Sequence, residues 1–318
     1  MIRWGILGCG GIAGRMASVL TSLPGSVLHA VAAREGGRAK AFAAAYGVPA
    51  AYEGYEGLTA DKEVDAVYVA TIHPAHADCV RKCLSADKAV LCEKPLTMTL
   101  EEAEGLFGLA KERNVLLMEA MWTRFLPAWR EIRRRILAGT IGRVRLMEAD
   151  FSAAIPFDPD SRIYHLGKGG GALLDIGVYA VHALLQVLGT GYTDIRASGR
   201  LSSTGSDSAA AVLLTYPDGA LGVATCGCDY AGSGDARIYG EKGNIVVPNF
   251  IAATAYTLTR TGCEPESRVF EAREGFTYEA EECMRLLAEG NTVSPTVPPG
   301  DTLAAMTILN EAARQLRR

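Results

Sequence analysis

The chain has 318 residues, 49% of them hydrophobic and 21% charged, with a formal net charge of −4 at pH 7. That length exceeds what one hydrophobic core usually carries, so two domains are expected. The acidic balance argues against nucleic acid or an anionic membrane surface as partner, since each selects a basic face.

The eight cysteines are scattered, several in apolar runs where a reduced thiol behaves as a small hydrophobe. No pair of them has a second pair at zinc-site spacing, and no structural metal is expected. No charged leader precedes the first strand and no apolar run reaches membrane-spanning length, so the expected location is the cytoplasm.

Residues 2–7 form a short apolar run bounded by glycine, the pattern of a buried parallel strand. Gly8, Gly10 and Ala13 follow as G-x-G-x-x-A and open an amphipathic helix over 12–23. The first glycine permits a tight turn, the second lets the backbone approach a pyrophosphate, and the small Ala13 lets helix and strand pack closely. Gly11 and Ile12 complete the start of that helix, whose free N–H groups and dipole favour phosphate. Dinucleotide binding is the expectation.

A strand over 27–33 and a helix over 36–46, closed by Gly47 and Pro49, come next. An NAD-preferring site places an acid about 20 residues past the glycines to bind the ribose hydroxyls, whereas an arginine accommodates a 2′-phosphate. Here Ala33 is followed by Arg34, with Arg38 one turn on, which points to NADP. Glu35 is the acid placed to accept from the ribose if the loop shifts.

Strands over 66–70, 89–92 and 115–118 alternate with helices over 74–85 and 99–113, the last opened by a Thr99/Glu102 capping box. Such alternation makes a doubly wound parallel sheet with ligands at the carboxyl ends of its strands. Thr71, His73, Pro74 and His76 follow the strand over 66–70, where the nicotinamide end of the cofactor is expected. With no third ligand at a matching spacing, the two histidines read as cofactor-contacting or packing residues rather than metal ligands.

Beyond residue 123 the pattern changes. A helix over 126–137 is followed by strands over 144–152, 209–216, 220–226, 236–239, 244–247 and 255–260, and helices over 278–289 and 302–316 close the chain. Consecutive strands without intervening helices indicate an antiparallel sheet. The expected division is 1–122, a cofactor-binding domain, and 123–318, an α+β domain for substrate binding and oligomerisation. Trp122, Phe151, Ile163, Ile176 and Phe276 are candidate pocket walls, and Arg124 and Arg162 candidates to bind a hydroxyl or an anionic group. Asp175 and Tyr179 stand i, i+4, so on a helix they share one face; His182 lies on that face two turns along.

The opening glycine turn, the run LCEKPL (91–96) and the run GGGALLDIGVY (169–179) together resemble the Gfo/Idh/MocA family of NAD(P)-dependent oxidoreductases. Ala32-Ala33-Arg34-Glu35, His73-Pro74 and MEAMWTRF (118–125) look most like its dihydrodiol dehydrogenase branch, whose members also oxidise D-xylose with NADP. The resemblance implies that Lys94 of Glu93-Lys94-Pro95 is the catalytic lysine and that Asp175 and Tyr179 complete the site. It also implies Glu93 and Trp122 as cofactor contacts, and a homodimer or higher homo-oligomer built on the exposed face of the second sheet. Many relatives carry histidine where this chain has Tyr179; the tyrosine form narrows the substrate towards aldoses, related carbonyls or vicinal diols. The competing reading is a non-catalytic NADP-binding regulator of the same fold, and the joint presence of Lys94, Asp175 and Tyr179 argues against it.

Overall fold

A computed structural model describes residues 1–271 and 273–318. The chain divides into two units, Met1–Trp122 with Arg273–Pro299 and Thr123–Ala272 with Gly300–Arg318.

The first unit runs β1 (Ile2–Leu7), α1 (Gly11–Ser22), β2 (Ser26–Ala33), α2 (Gly36–Tyr46), β3 (Ala50–Glu53), α3 (Glu56–Ala60), β4 (Ala66–Val69), α4 (His73–Ser85), β5 (Ala89–Glu93), α5 (Leu100–Arg113) and β6 (Leu117–Ala120). Its six strands pair in parallel in the order β3-β2-β1-β4-β5-β6. The near-continuous apolar runs of β4 and β5 are buried at every residue, as a parallel sheet covered on both faces requires. The expected alternation is therefore present, with β3 and α3 as additions. The Thr99/Glu102 capping box opens α5, and Gly47 ends α2 in the left-handed conformation.

The strand order turns back on itself between β1 and β4, which makes the carboxyl ends of these two strands the switch point where doubly wound sheets bind ligands. Gly8 lies there with φ +97°, and a Cβ on it would fall 2.6 Å from the Ala70 carbonyl oxygen. Both the dihedral and the neighbour demand glycine.

The second unit contains α6 (Pro127–Leu137), β7 (Val144–Ser152), α7 (Val178–Leu188), β8 (Asp194–Leu201), β9 (Asp207–Thr215), β10 (Leu221–Gly227), β11 (Ala236–Gly240), β12 (Gly243–Val247), β13 (Ala255–Arg260) and β14 (Glu266–Val269). Its eight strands lie in the order β14-β13-β12-β11-β7-β10-β9-β8. The sheet is the large antiparallel one expected, with one parallel pair, β7 and β10. The helix α7 packs on β7 and β10 from one face.

Two further helices close the chain, α8 (Gly275–Ala288) and α9 (Pro299–Leu316). The helix α9 is tied to edge strand β8 by Gln315, which accepts from the Ala197 amide and donates to the Ile195 carbonyl. By contrast α8 packs on α1 and β5 of the first unit. The expectation that everything beyond residue 123 belongs to one domain thus differs from the structure at Arg273–Pro299.

The expectation about apolar runs also needs correction. Leu166–Leu188 is long and apolar enough to cross a membrane, with a mean hydropathy of 1.6 over its most apolar window. That window is 78% buried inside the protein, which makes it a core segment.

Candidate active site

Within the first unit, the glycine turn presents open backbone. A Cβ on Gly10 or Gly11 would meet nothing within 4 Å, and both residues are exposed. No side chain caps the start of α1 and no acid stands in its first turn, so its N–H groups and dipole are left for an anion. Ala13 is fully buried against the sheet while Ile12 is 41% exposed. Arg34 and Arg38 are both exposed beyond β2, and Arg38 reaches the Cys9 carbonyl at 3.4 Å. The fold brings one acid here that the sequence reading missed. Glu53, at the end of β3, lies so close to Gly36 that a Cβ there would stand 2.7 Å from its Oε2.

The Glu93-Lys94-Pro95 turn is built on the end of β5. The Lys94–Pro95 peptide bond is cis. The Tyr68 hydroxyl donates to Glu93 Oε1, and the Lys94 amide donates to Glu93 Oε2 at 3.2 Å. Burial raises the pKa of Glu93, against the pull of Lys94 and these two donors. His76 is fully buried, with Nδ1 2.9 Å from the Pro95 carbonyl oxygen and Nε2 3.1 Å from that of Thr71. Its ring joins the Glu-Lys-Pro turn to the turn after β4, and burial lowers its pKa. His73 is buried beside it, with ring centroids 5.7 Å apart, and Pro74 is exposed.

Two of the expected pocket residues also meet in this unit. Trp122 and Phe276 stack with centroids 6.0 Å apart and planes 14° from parallel. Gly275 makes room for the stack, because a Cβ on it would fall 2.1 Å from the Trp122 ring. Arg15 covers the Phe276 ring at 4.4 Å and pairs with Glu274 at 2.7 Å.

In the second unit, Asp175 lies on a π-helical turn, Leu173–Gly177, and Tyr179 on the first turn of α7. The shared helical face expected from their spacing therefore spans a π-to-α junction. Asp207, at the start of β9, accepts from the Leu173 amide at 2.6 Å and so fixes the front of that turn to the sheet. Gly171 (φ +134°) could carry no side chain, since its Cβ would stand 2.3 Å from Asp207 Oδ1. Gly177 is similarly confined by Cys226, whose Sγ would be 2.8 Å from a Cβ.

Phe151 meets the Tyr179 ring edge-on at 5.6 Å and in turn contacts Phe250. Ile163 and Ile176 are both buried. Arg162 pairs with Asp175 at 2.8 Å. Arg124 is buried in an ion pair with Asp301 at 2.6 Å, with Nη1 3.5 Å from His182 Nδ1, and joins the start of this unit to α9.

Residues 2–121 match the oxidoreductase family with an NAD-binding Rossmann fold, and residues 129–246 match the Gfo/Idh/MocA C-terminal domain. The chain belongs to the Gfo/Idh/MocA family. It is similar to trans-1,2-dihydrobenzene-1,2-diol dehydrogenase of Danio rerio, at 39% identity over 99% of this chain and 97% of that one. The mouse enzyme of the same name is 36% identical over the same shares. Among solved structures, the 3-ketoreductase KijD10 of Actinomadura kijaniata with NADP and TDP-benzene superposes with a TM-score of 0.89 at 30% identity, covering 99% of this chain and 98% of its own. As a Gfo/Idh/MocA member with full-length dehydrogenase relatives, the protein is an NAD(P)-dependent dehydrogenase or reductase.

Proposed function

We propose that the protein uses NADP to move hydride between the nicotinamide and a carbinol or carbonyl carbon of an aldose, a sugar derivative or a trans-dihydrodiol. The observation that carries the cofactor is the pair of exposed arginines, Arg34 and Arg38, beyond β2 beside the open glycine turn. A 2′-phosphate carries nearly two negative charges, and charge-assisted contacts to it contribute on the order of 1.5–3 kcal/mol each. The structurally similar 3-ketoreductase binds NADP, which supports the same choice. The substrate class rests on the dihydrodiol dehydrogenase relatives and on tyrosine at position 179.

Gly8, Gly10 and Gly11 would hold the pyrophosphate on the start of α1, and the turn after β5 would face the nicotinamide. When bound, NADP⁺ supplies the hydride acceptor. Oxidising a carbinol also requires a base for the hydroxyl proton, and Tyr179 takes that proton. A free tyrosine is a poor base at neutral pH, with a pKa near ~10. Lys94 supplies the positive charge that favours the phenolate and the developing alkoxide. Asp175, held by Arg162, orients the reacting sugar or diol by accepting from a neighbouring hydroxyl.

We further infer a homo-oligomer. Leu146, Leu221 and Tyr239 stand side by side across β7, β10 and β11, and Leu221 and Tyr239 are exposed, which fits a sheet face that another copy covers. A reducing, cytoplasmic setting suits the free thiols of Cys79, Cys83, Cys92, Cys226, Cys228 and Cys283. The test of the central reading is a panel of aldoses and dihydrodiols scored by NADPH formation. Cofactor binding without turnover on any of them would contradict it and favour a regulator.

A further inference from the structure

The helix α8 carries a carboxyl where its pattern calls for hydrocarbon. Phe276, Glu279, Cys283 and Leu286 follow at helical spacings and are all buried, on a helix that packs against α1 and β5. Glu279 is fully buried, and neither of its carboxylate oxygens has a hydrogen-bond partner. A carboxylate cannot be held ionised in such a place, so Glu279 carries a proton. Breaking the local apolar pattern at a cost to stability is what functional positions do.

The second member of the pair is Glu93, buried at the end of β5 and held by the Tyr68 hydroxyl and the Lys94 amide. These two donors make Glu93 the carboxyl suited to a charge. Burial raises the pKa of Glu279 well above the carboxylate range, and the charge of Glu93 raises it further. The other groups bearing on the pair are Arg15 of α1, which favours the charged forms, and Glu274 just before α8, which opposes them. Cys92 beside Glu93, and Glu282 and Cys283 on α8, are further titratable neighbours. Two buried carboxyls in each other's field hold one negative charge and one proton between them.

We propose that Glu93 and Glu279 form a buried proton store, and that the store empties when the cationic, oxidised nicotinamide docks beside Lys94. The inference rests on the reading above that the turn after β5 faces the nicotinamide. In the step, the O–H bond of the Glu279 carboxyl breaks and the proton passes to solvent. The pair goes from one negative charge to two, and no electrons move. A unit charge arriving within about 10 Å, at an effective dielectric of about 20, changes the proton affinity of the pair by more than tenfold. The neutral, reduced ring brings no such charge, so the store stays filled when NADPH binds. The enzyme thereby couples its proton balance to the oxidation state of the cofactor it holds.

Calorimetric titration of the full-length enzyme with NADP⁺ and with NADPH at pH 7, in buffers of different ionisation heat, counts the protons exchanged on binding. Contributions of the 2′-phosphate are common to both cofactors and cancel in the difference. The wild type should release a fraction of a proton more per NADP⁺ bound than per NADPH. Glu279→Gln, nearly isosteric and without a titrating proton, should bring that difference close to zero at unchanged stoichiometry. Glu279→Met, which completes the apolar stripe, should do the same and serves if the amide does not fold. Equal proton release for the two cofactors in the wild type, or an undiminished difference in the variants, overturns the proposal. The placement of Lys94 fails on a separate measurement, the turnover of Lys94→Met.

Discussion

Arg162 Nη1 lies 2.8 Å from Asp175 Oδ1, an ion pair between an exposed guanidinium and a nearly buried carboxylate. The loop arginine is thus joined to the π-helical turn that carries Asp175, two elements whose relation no sequence spacing announces. Arg162→Met keeps the length of the side chain and removes the cation. It should lower kcat/KM for the carbinol substrate by about tenfold and leave the KM for NADP unchanged. Steady-state kinetics decide this, and a kcat/KM within twofold of wild type would show that the pair does not hold Asp175 for chemistry.

Arg34 and Arg38 bear on cofactor choice. Arg34→Ala should raise the KM for NADP by roughly ten- to a hundredfold and hardly change that for NAD. Equal losses with both cofactors would mean that Arg34 does not read the phosphate. Because Glu53 stands beside Gly36 at the start of α2, Glu53→Gln is expected to shift preference further towards NADP by removing a like charge.

Glu279 gives the protein a pH-dependent stability with a defined sign. Its pKa is raised in the folded state, so above the ordinary carboxylate value of about 4.3 the unfolded chain releases a proton that the folded chain keeps. Folding stability is therefore highest below that value and is lost as pH rises towards the folded pKa, at up to about 1.4 kcal/mol per pH unit. The urea stability of Glu279→Gln relative to wild type should increase between about pH 5 and pH 7. A difference independent of pH would show that Glu279 ionises normally in the fold.

Gly171 has φ +134° and no room for a Cβ beside Asp207. Gly171→Ala should destabilise the protein by at least about 2 kcal/mol and lower turnover per folded molecule, because it displaces the carboxylate that caps the Asp175 turn. Unfolding midpoints and NADPH-binding stoichiometry separate the two effects.

The first unit was largely legible because a parallel sheet buried on both faces writes its strands as continuous apolar runs, as at 66–69 and 89–93. Edge strand β3 escaped, being four half-exposed residues, and β8 escaped because Asp194, Arg196, Ser198 and Arg200 read as a solvated loop. Strand pairing in the second sheet depends on contacts far apart in sequence, so the parallel β7–β10 pair left no local trace. The π-helical turn is equally silent, since Leu173–Gly177 has the composition of an α-helix and is shaped by Asp207 and Cys226 from the sheet. Lys94, Asp175 and Tyr179 stood out through their motifs. The partners of Arg124 and Asp175 did not, because an ion pair between distant segments has no spacing rule.

The most direct test of the account is the turnover of Tyr179→Phe beside that of Lys94→Met. Replacing Tyr179 by Phe keeps the ring that meets Phe151 and removes only the proton carrier, so kcat should fall by about 10²–10⁴ while NADP affinity stays intact. Lys94→Met should be at least as damaging, and Lys94→Arg should rescue it poorly, because a planar fork does not replace a compact ammonium. If Tyr179→Phe keeps most of its kcat while Lys94→Met is inactive, the tyrosine is not the acid/base and the proton leaves by Lys94 or by a water held at Asp175.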